Sequence, residues 1–317
     1  MSAPNVPIID LQTASGDSEQ LKLIDSACRD HGFFLLKNHG IQDEINNMWS
    51  MSEWFFSQNR VDKLKLLRSE EIPLGFYDRE LTKQRRDLKE VFDFMETRLD
   101  KDINQWPDEV DFKIIMESFF MKSSNVAEKT LNLILHALGI ENNDRIFGDS
   151  KTSNARLNFY PTNDPLSIKE KAQVNKLGDM ALHHHTDPGI LTLLLQDMTG
   201  GLQAESKEFG WIDIIPEKNS IVVNLGDAMQ VWTNDNYVAA VHRVTQRTSK
   251  SRYSTPFFYN PRNDSVIEPL PEISLENPHY KQFTWKEYIQ GRIDDNYKDL
   301  GQDDIQISKF KISRHPA

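Results

Sequence analysis

Short apolar runs separated by turn-forming residues fill the second half of the chain, and they constrain its fold more than any other feature. Each run has the length of one β-strand, and Gly, Asp, Asn or Pro lies between successive runs. The runs are residues 157–160, 190–195, 211–214, 221–225 and 253–259. Short strands at regular spacing are typical of antiparallel barrels and of double-sheet jelly rolls. We therefore predict a mainly β fold with flanking helices.

Helical periodicity is confined mostly to the first half of the chain. The expected elements there are a strand at 6–11, a helix from Ser18 or Glu19, a strand at 33–36, a helix at 42–57, a long loop at 72–87 and a helix at 126–138. We expect residues 1–150 to form a mostly helical region with opening strands, packed on the barrel. Residues 151–317 are expected to form the β core and a C-terminal helix.

The composition argues against several kinds of partner. Asp and Glu number 48 against 37 Lys and Arg, and a net charge of −11 does not favour binding to nucleic acid or to an anionic membrane. Nowhere do 18 apolar residues follow one another, and the N-terminus has no basic segment before an apolar run. The single cysteine, Cys28, lies on the apolar face of the first predicted helix, where we expect an inert buried thiol. We expect a cytoplasmic monomer that acts on a small molecule.

Histidines and an aspartate occur at a spacing that suits a metal ion. His185 and Asp187 are two residues apart, so both side chains lie on the same face of a strand, and the same holds for His183 and His185. His242 is a third candidate further along the chain. Two imidazoles and one carboxylate on one side of an ion leave adjacent positions open, as in non-haem Fe(II) oxygenases. A zinc hydrolase with the same three ligands is the alternative.

A second group of polar residues suits the binding of a carboxylate. Arg252 and Ser254 share one face of a predicted strand, and a guanidinium fork with a hydroxyl binds carboxylates through charge-assisted hydrogen bonds. Arg156, Asn158 and Tyr160 share a face of another strand. An inward Arg156 must be paired, and its partner is either an anionic substrate or an internal Asp or Glu.

Longer motifs follow one another in a definite order along nearly the whole chain. They are Pro7-Ile8-Ile9-Asp10-Leu11, Gly32-Phe33-Phe34, Asn38-His39-Gly40, Leu157-Asn158-Phe159-Tyr160-Pro161, His185-Thr186-Asp187, Gly200-Gly201-Leu202-Gln203, Asn224-Leu225-Gly226-Asp227, His242-Arg243-Val244, Arg252-Tyr253-Ser254 and Pro256-Phe257-Phe258. In this order they resemble the plant-type, isopenicillin-N-synthase-like family of Fe(II)- and 2-oxoglutarate-dependent dioxygenases.

The resemblance implies a distorted double-stranded β-helix, or jelly roll, with iron inside its open end. His185, Asp187 and His242 match the metal ligands of the family. The residues that match its contacts to the co-substrate 2-oxoglutarate are Asn158, Tyr160, Arg252 and Ser254. The implied reaction uses Fe(II), 2-oxoglutarate and O2 to oxidise an unactivated C–H bond by hydroxylation, desaturation or ring closure. We expect a role in specialised metabolism, on an amino-acid-derived or other carboxylate substrate.

The substrate pocket is constrained less well than the metal site. His183 and His184 depart from the family, which commonly has Gly, small or acidic residues there, so His183 either competes for metal, faces substrate or lies outside the ligand set. The expected substrate contacts are Phe76, Tyr77, Phe92, Phe94, Arg156, His183 and Phe258. For Phe92 and Phe94, packing in the core is the alternative. A catalytically inactive barrel that binds a small molecule is the alternative to an enzyme.

Overall fold

The structure is a computed structural model and describes residues 6–69, 71–82, 85–98, 102–140, 147–245, 249–274, 277–297 and 305–312. The strands are β1 (Ile8–Asp10), β2 (Phe33–Lys37), β3 (Gly75–Tyr77), β4 (Leu81–Thr82), β5 (Arg85–Arg86), β6 (Glu90–Met95), β7 (Asn154–Tyr160), β8 (Leu182–His185), β9 (Leu191–Gln196), β10 (Leu202–Ser206), β11 (Gly210–Asp213), β12 (Ile221–Leu225), β13 (His242–Val244), β14 (Arg252–Tyr259), β15 (Val266–Ile267) and β16 (Phe283–Thr284). The helices are α1 (Ser18–Asp30), α2 (Gln42–Ser57), α3 (Arg60–Leu64), α4 (Val110–Ala137), α5 (Ile168–Lys171), α6 (Asp227–Trp232), α7 (Pro271–Ser274) and α8 (Trp285–Tyr297).

Two sheets form the centre of the fold. The larger has the strand order β1-β2-β12-β9-β14-β7-β6-β3, in which β1 and β2 are parallel and the other neighbours are antiparallel. The smaller has the antiparallel order β11-β10-β13-β8. The strands β15 and β16, and likewise β4 and β5, form separate pairs. This arrangement confirms the predicted jelly roll, in which the larger sheet takes strands from both halves of the chain.

Alternation along the strands gives the larger sheet two buried faces. In β2, Phe33 and Leu35 pack in one cluster with Ala204 of the smaller sheet. Phe34 and Leu36 point the other way, into the cluster that contains the buried faces of α1, α2 and α4. Helices therefore cover the outer face of the larger sheet, and the smaller sheet covers its inner face.

The helices follow the apolar periodicity of the first half. Helix α4 begins well before the predicted residues 126–138, because Phe112, Met116 and Phe119 extend its buried stripe toward the N-terminus. Cys28 lies in α1 and is 0% exposed, which agrees with the predicted buried thiol. In the part of the chain that the structure describes, no helix has the length and apolar character needed to cross a membrane.

The prediction of a long loop over residues 72–87 is wrong, because this segment contains β3, β4 and β5. Gly75 begins β3 with a φ of 107°, and a Cβ there would lie 2.4 Å from the carbonyl oxygen of Leu66. The glycine therefore lets the chain pass close to Leu66 and pair with β6. Arg86, at the end of β5, is buried and forms an ion pair with Asp164.

Candidate active site

Two neighbouring strands of the smaller sheet bring the predicted metal ligands together. His185 ends β8 and His242 begins β13, and these two residues are directly opposite each other in the antiparallel register. Asp187 follows β8 by two residues, and its Oδ1 lies 3.6 Å from His185 Nε2 and 3.9 Å from His242 Nε2. One ligand atom from each residue lies within 4.8 Å of the others, so the three can share one ion.

Hydrogen bonds fix the orientation of all three side chains. His185 Nδ1 lies 2.9 Å from the carbonyl oxygen of His183, and His242 Nδ1 lies 2.8 Å from that of Ala240. A carbonyl oxygen only accepts, so each Nδ1 donates a proton and each Nε2 keeps its lone pair toward the other ligands. On Asp187, Oδ2 accepts hydrogen bonds from Thr192 Oγ1 at 2.5 Å and from Asn224 Nδ2 at 2.9 Å, which leaves Oδ1 toward the histidines.

Burial sets the protonation states that a metal requires. Burial lowers the pKa of His185 most, and the nearby imidazole of His242 lowers it further, to about 3. His185 is therefore neutral at physiological pH. Burial alone would raise the pKa of Asp187. The two histidines and the hydrogen bonds from Thr192 and Asn224 outweigh burial and lower that pKa below its usual value. A carboxylate and a neutral imidazole are the forms that bind metals.

The predicted carboxylate-binding residues line the same cavity as the three ligands. This cavity has a volume of about 510 Å³. In the pairing of β7 with β14, Arg252 lies opposite Tyr160 and Ser254 opposite Asn158. Arg252 is 2% exposed, and its guanidinium carbon lies 5.0 Å from the centre of the Tyr160 ring. Asn158 Nδ2 donates a hydrogen bond of 3.4 Å to Ser254 Oγ.

The guanidinium of Arg252 has hydrogen-bond donors that the described residues do not satisfy. Its Nη2 donates to Gln196 Oε1 at 3.3 Å, but Nε and Nη1 are buried without a partner in the described part of the chain. An unsatisfied charged donor is costly in a protein interior. A carboxylate of 2-oxoglutarate fits this site, because it would accept hydrogen bonds from Nη1 and from the second N–H of Nη2, which lie side by side in the guanidinium fork.

Several of the expected substrate contacts are not at the cavity. Phe76, Phe92 and Phe94 are each 0% exposed and pack in the hydrophobic core on the helical side of the larger sheet. The reason is alternation in β6, where Asp93 and Met95 line the cavity while the two phenylalanines of that strand face the other way. Phe92 and Phe94 therefore pack in the core, which was the alternative that the sequence left open.

Tyr77 and His183 also lie outside the cavity lining. The guanidinium carbon of Arg68 stacks 4.2 Å from the centre of the Tyr77 ring. His183 Nδ1 lies 3.1 Å from Asp87 Oδ1, and its ring fills the space beside Gly178, where a Cβ would lie 2.1 Å from His183 Cε1. His183 thus contacts the site through its backbone carbonyl, which orients His185.

Arg156 and Phe258 do line the cavity, as expected. The guanidinium of Arg156 is held by two acids: Nε and Nη2 donate to Asp93 at 2.6 and 2.9 Å, and Nη1 donates to Glu80 at 2.9 Å. The sequence left open whether Arg156 pairs with an internal acid or with an anionic substrate. The structure shows internal acids as its partners. Lys89, which no sequence pattern indicated, precedes β6 and lines the cavity.

Comparisons with known proteins agree with this geometry. Residues 152–261 match the family described as the 2OG-Fe(II) oxygenase superfamily, and residues 6–109 match the N-terminal region described as that of a non-haem dioxygenase in morphine synthesis. The chain is 33% identical to 1-aminocyclopropane-1-carboxylate oxidase 4 of Solanum lycopersicum over 297 residues, which cover 90% of this chain and 89% of the relative. It is 30% identical to the 2-oxoglutarate-Fe(II) type oxidoreductase ppzD of Metarhizium majus, with 83% and 85% of the two chains covered.

A solved structure shows the same fold. A full-length Neurospora crassa protein, crystallised in complex with alpha-KG, matches with a TM-score of 0.79 and 28% sequence identity, and the match covers 91% of this chain and 96% of that protein. These findings confirm the family, fold and cofactors that the sequence motifs predict. The chain therefore belongs to the 2OG-Fe(II) oxygenase superfamily, as an oxidoreductase that uses Fe(II), 2-oxoglutarate and O2.

Proposed function

We propose that His185, Asp187 and His242 hold the iron and that the enzyme oxidises an unactivated C–H bond of a small organic molecule. One observation carries the proposal. The buried guanidinium of Arg252, with two donors that no described residue satisfies, lines the same cavity as a three-residue metal cluster of one carboxylate and two imidazoles. A zinc hydrolase needs the metal ligands but has no use for this second, anion-binding group.

The residues around the iron have separate tasks in the proposed site. Arg252 and Ser254 bind the distal carboxylate of 2-oxoglutarate, and Asn158 and Tyr160 contact the same co-substrate from the adjacent strand. Iron with 2-oxoglutarate supplies the oxidising chemistry when both are bound. The protein orients the histidines through the backbone carbonyls behind each of them, and the reacting atoms lie in the cavity.

The substrate is proposed to be a small molecule of specialised metabolism. A cavity of about 510 Å³ lies in the range of roughly 300–1,000 Å³ that is typical of small-molecule sites. Relatives carry names such as 1-aminocyclopropane-1-carboxylate oxidase and gibberellin 2-beta-dioxygenase, which are names of enzymes for small molecules. Hydroxylation, desaturation and ring closure are all outcomes that this chemistry allows.

The test is substrate-stimulated turnover of 2-oxoglutarate. The purified protein with Fe(II) and 2-oxoglutarate is incubated with amino-acid-derived, phenolic and terpenoid compounds, and succinate and the organic product are measured by mass spectrometry. Stimulated succinate formation with a product that gains one oxygen or loses two hydrogens supports the proposal. Hydrolysis of a test compound without 2-oxoglutarate favours the zinc hydrolase, and binding of compounds without any turnover favours an inactive barrel.

A further inference from the structure

The charge of the cavity is opposite to that of the whole chain. Among the described residues that line it, seven are Lys or Arg and three are Asp or Glu, whereas the chain carries a net charge of −11. One of the acids, Asp187, belongs to the metal cluster, and one of the cations, Arg252, is assigned to 2-oxoglutarate. The excess of positive charge in the remaining lining favours an anion.

Part of this lining is a charged network around Glu80 and Asp93. Glu80 accepts hydrogen bonds or ion pairs from Arg68 at 2.9 Å, Lys89 at 2.9 Å and Arg156 at 2.9 Å. Asp93 accepts from Arg68 at 3.1 Å and from Arg156 through two bonds. Both acids of this network are thus occupied by internal cations. A substrate ammonium group would have to displace one of these cations, so the network does not favour a cationic substrate.

Lys89 is the member of this network best placed to bind a ligand. Its side chain is 5% exposed and lines the cavity. Its Nζ lies 2.9 Å from Glu80 Oε2 and 3.3 Å from Asp87 Oδ2, and within the described ranges these are its ion-pair partners. An ammonium group has three N–H donors, so one donor remains after these two acids. Asp87 does not line the cavity and also accepts a hydrogen bond from Thr82.

The side chain of Lys89 lines the same cavity as His185, Asp187 and His242. For Lys89 itself, burial would lower the pKa, but the carboxylates of Glu80 and Asp87 outweigh burial and raise it. Lys89 is therefore a charged, buried donor in the cavity that also contains the metal cluster, and β7 lies between β6, which Lys89 precedes, and β14, which carries Arg252.

We propose that Lys89 binds a carboxylate of the primary substrate and thereby positions a nearby C–H bond at the iron, so that the substrate is an organic acid. The proposal rests on the proposed function, since it assigns a second anion subsite in the same cavity. The acid is expected to have an apolar body, because much of the remaining lining is apolar. These apolar residues include Leu74, Leu81, Met95, Phe258, Trp285 and Ile289.

The test compares carboxylic acids with their primary amides, which have similar shape but no charge. The probes are cinnamate and cinnamamide, indole-3-acetate and indole-3-acetamide, octanoate and octanamide, and N-acetylphenylalanine and its amide. The stimulation of succinate formation is measured for wild type, Lys89→Met, Lys89→Gln and Lys89→Arg. The control is Lys63→Met, which removes a buried lysine that pairs with Glu90 at 2.5 Å and does not line the cavity.

Wild type is expected to prefer at least one acid over its amide by roughly 10- to 150-fold in kcat/KM, the range for a hydrogen bond to a charged group. Lys89→Met and Lys89→Gln should lose this preference through a higher KM for the acid, with 2-oxoglutarate affinity unchanged. Lys89→Arg and Lys63→Met should keep it. The proposal is overturned by equal stimulation with acids and amides, by no stimulation with any acid, or by an acid preference that survives in both neutral variants. Succinate formed by wild type without any probe reports on the proposed function separately.

Discussion

Replacing Arg252 by lysine isolates the contribution of its planar guanidinium. Arg252→Lys keeps the positive charge and nearly the same burial, but it removes the planar fork of the guanidinium. Nη1 has no partner among the described residues, and with the second N–H of the neighbouring Nη2 it forms the fork that is available to a carboxylate. A lysine ammonium offers a single charged nitrogen and cannot make two parallel bonds to both carboxylate oxygens.

The expected loss follows from the number of bonds. If 2-oxoglutarate accepts from Nη1 and Nη2 of Arg252, the lysine variant loses one hydrogen bond to a charged group, which is worth about 1.5–3 kcal/mol. Since about 1.4 kcal/mol corresponds to a tenfold change in affinity, the Kd for 2-oxoglutarate should rise by roughly 10- to 150-fold. Arg252→Gln, which also removes the charge, should bind 2-oxoglutarate more weakly still.

Isothermal titration of 2-oxoglutarate into the iron-loaded protein, kept free of oxygen, measures this change. The matched control is Arg243→Lys. Arg243 lies in β13 of the smaller sheet and donates to Gln203 at 2.8 Å, but it stacks on Trp211 and does not line the cavity. Thermal melts establish that each variant is folded. A Kd for Arg252→Lys within about twofold of wild type, in a folded protein, would refute the assignment of the clamp.

Three further predictions concern other parts of the structure. Asn224→Ala removes the 2.9 Å bond that orients Asp187, so iron affinity should fall by roughly 10- to 100-fold, and unchanged affinity in an iron titration would show that Thr192 alone suffices. Phe92→Ala should lower the free energy of unfolding by about 3–5 kcal/mol in urea denaturation. A variant of unchanged stability with an altered substrate preference would show instead that Phe92 lines the pocket. Burial raises the pKa of the Cys28 thiol, so a thiol reagent should fail to modify the native protein and should react fully in urea; rapid native labelling would contradict this burial.

The metal cluster and the strand positions were predictable because each depends on local spacing. A two-residue spacing places His185 and Asp187 on one face of a strand, and the apolar run at 221–225 coincides with β12. The family motifs then identified His242 as the third ligand. The division near residue 150 and the monomeric state stay predictions.

The substrate wall was not predictable because strand alternation does not say which face meets the cavity. In β6 both faces are buried, so the sequence left open whether its phenylalanines line the pocket or pack in the core, and in the structure Asp93 and Met95 line the cavity instead. Buried charged residues need partners, and those of Lys89 lie beside the short strands β4 and β5, where the sequence predicted a loop. The unsatisfied donors of Arg252 likewise depend on the folded surroundings of that side chain.

The decisive measurement is iron-dependent formation of succinate from 2-oxoglutarate by wild type and Asp187→Ala. Each protein is stripped of metal with a chelator, reloaded with Fe(II) or Zn²⁺, and assayed in the presence of O2. Asp264→Ala serves as the control, because this aspartate has a side chain that is 73% exposed and pairs with Arg262. We expect succinate only from wild type and Asp264→Ala, and only with Fe(II). Equal succinate formation by Asp187→Ala, or none by iron-loaded wild type, would contradict the proposed iron site.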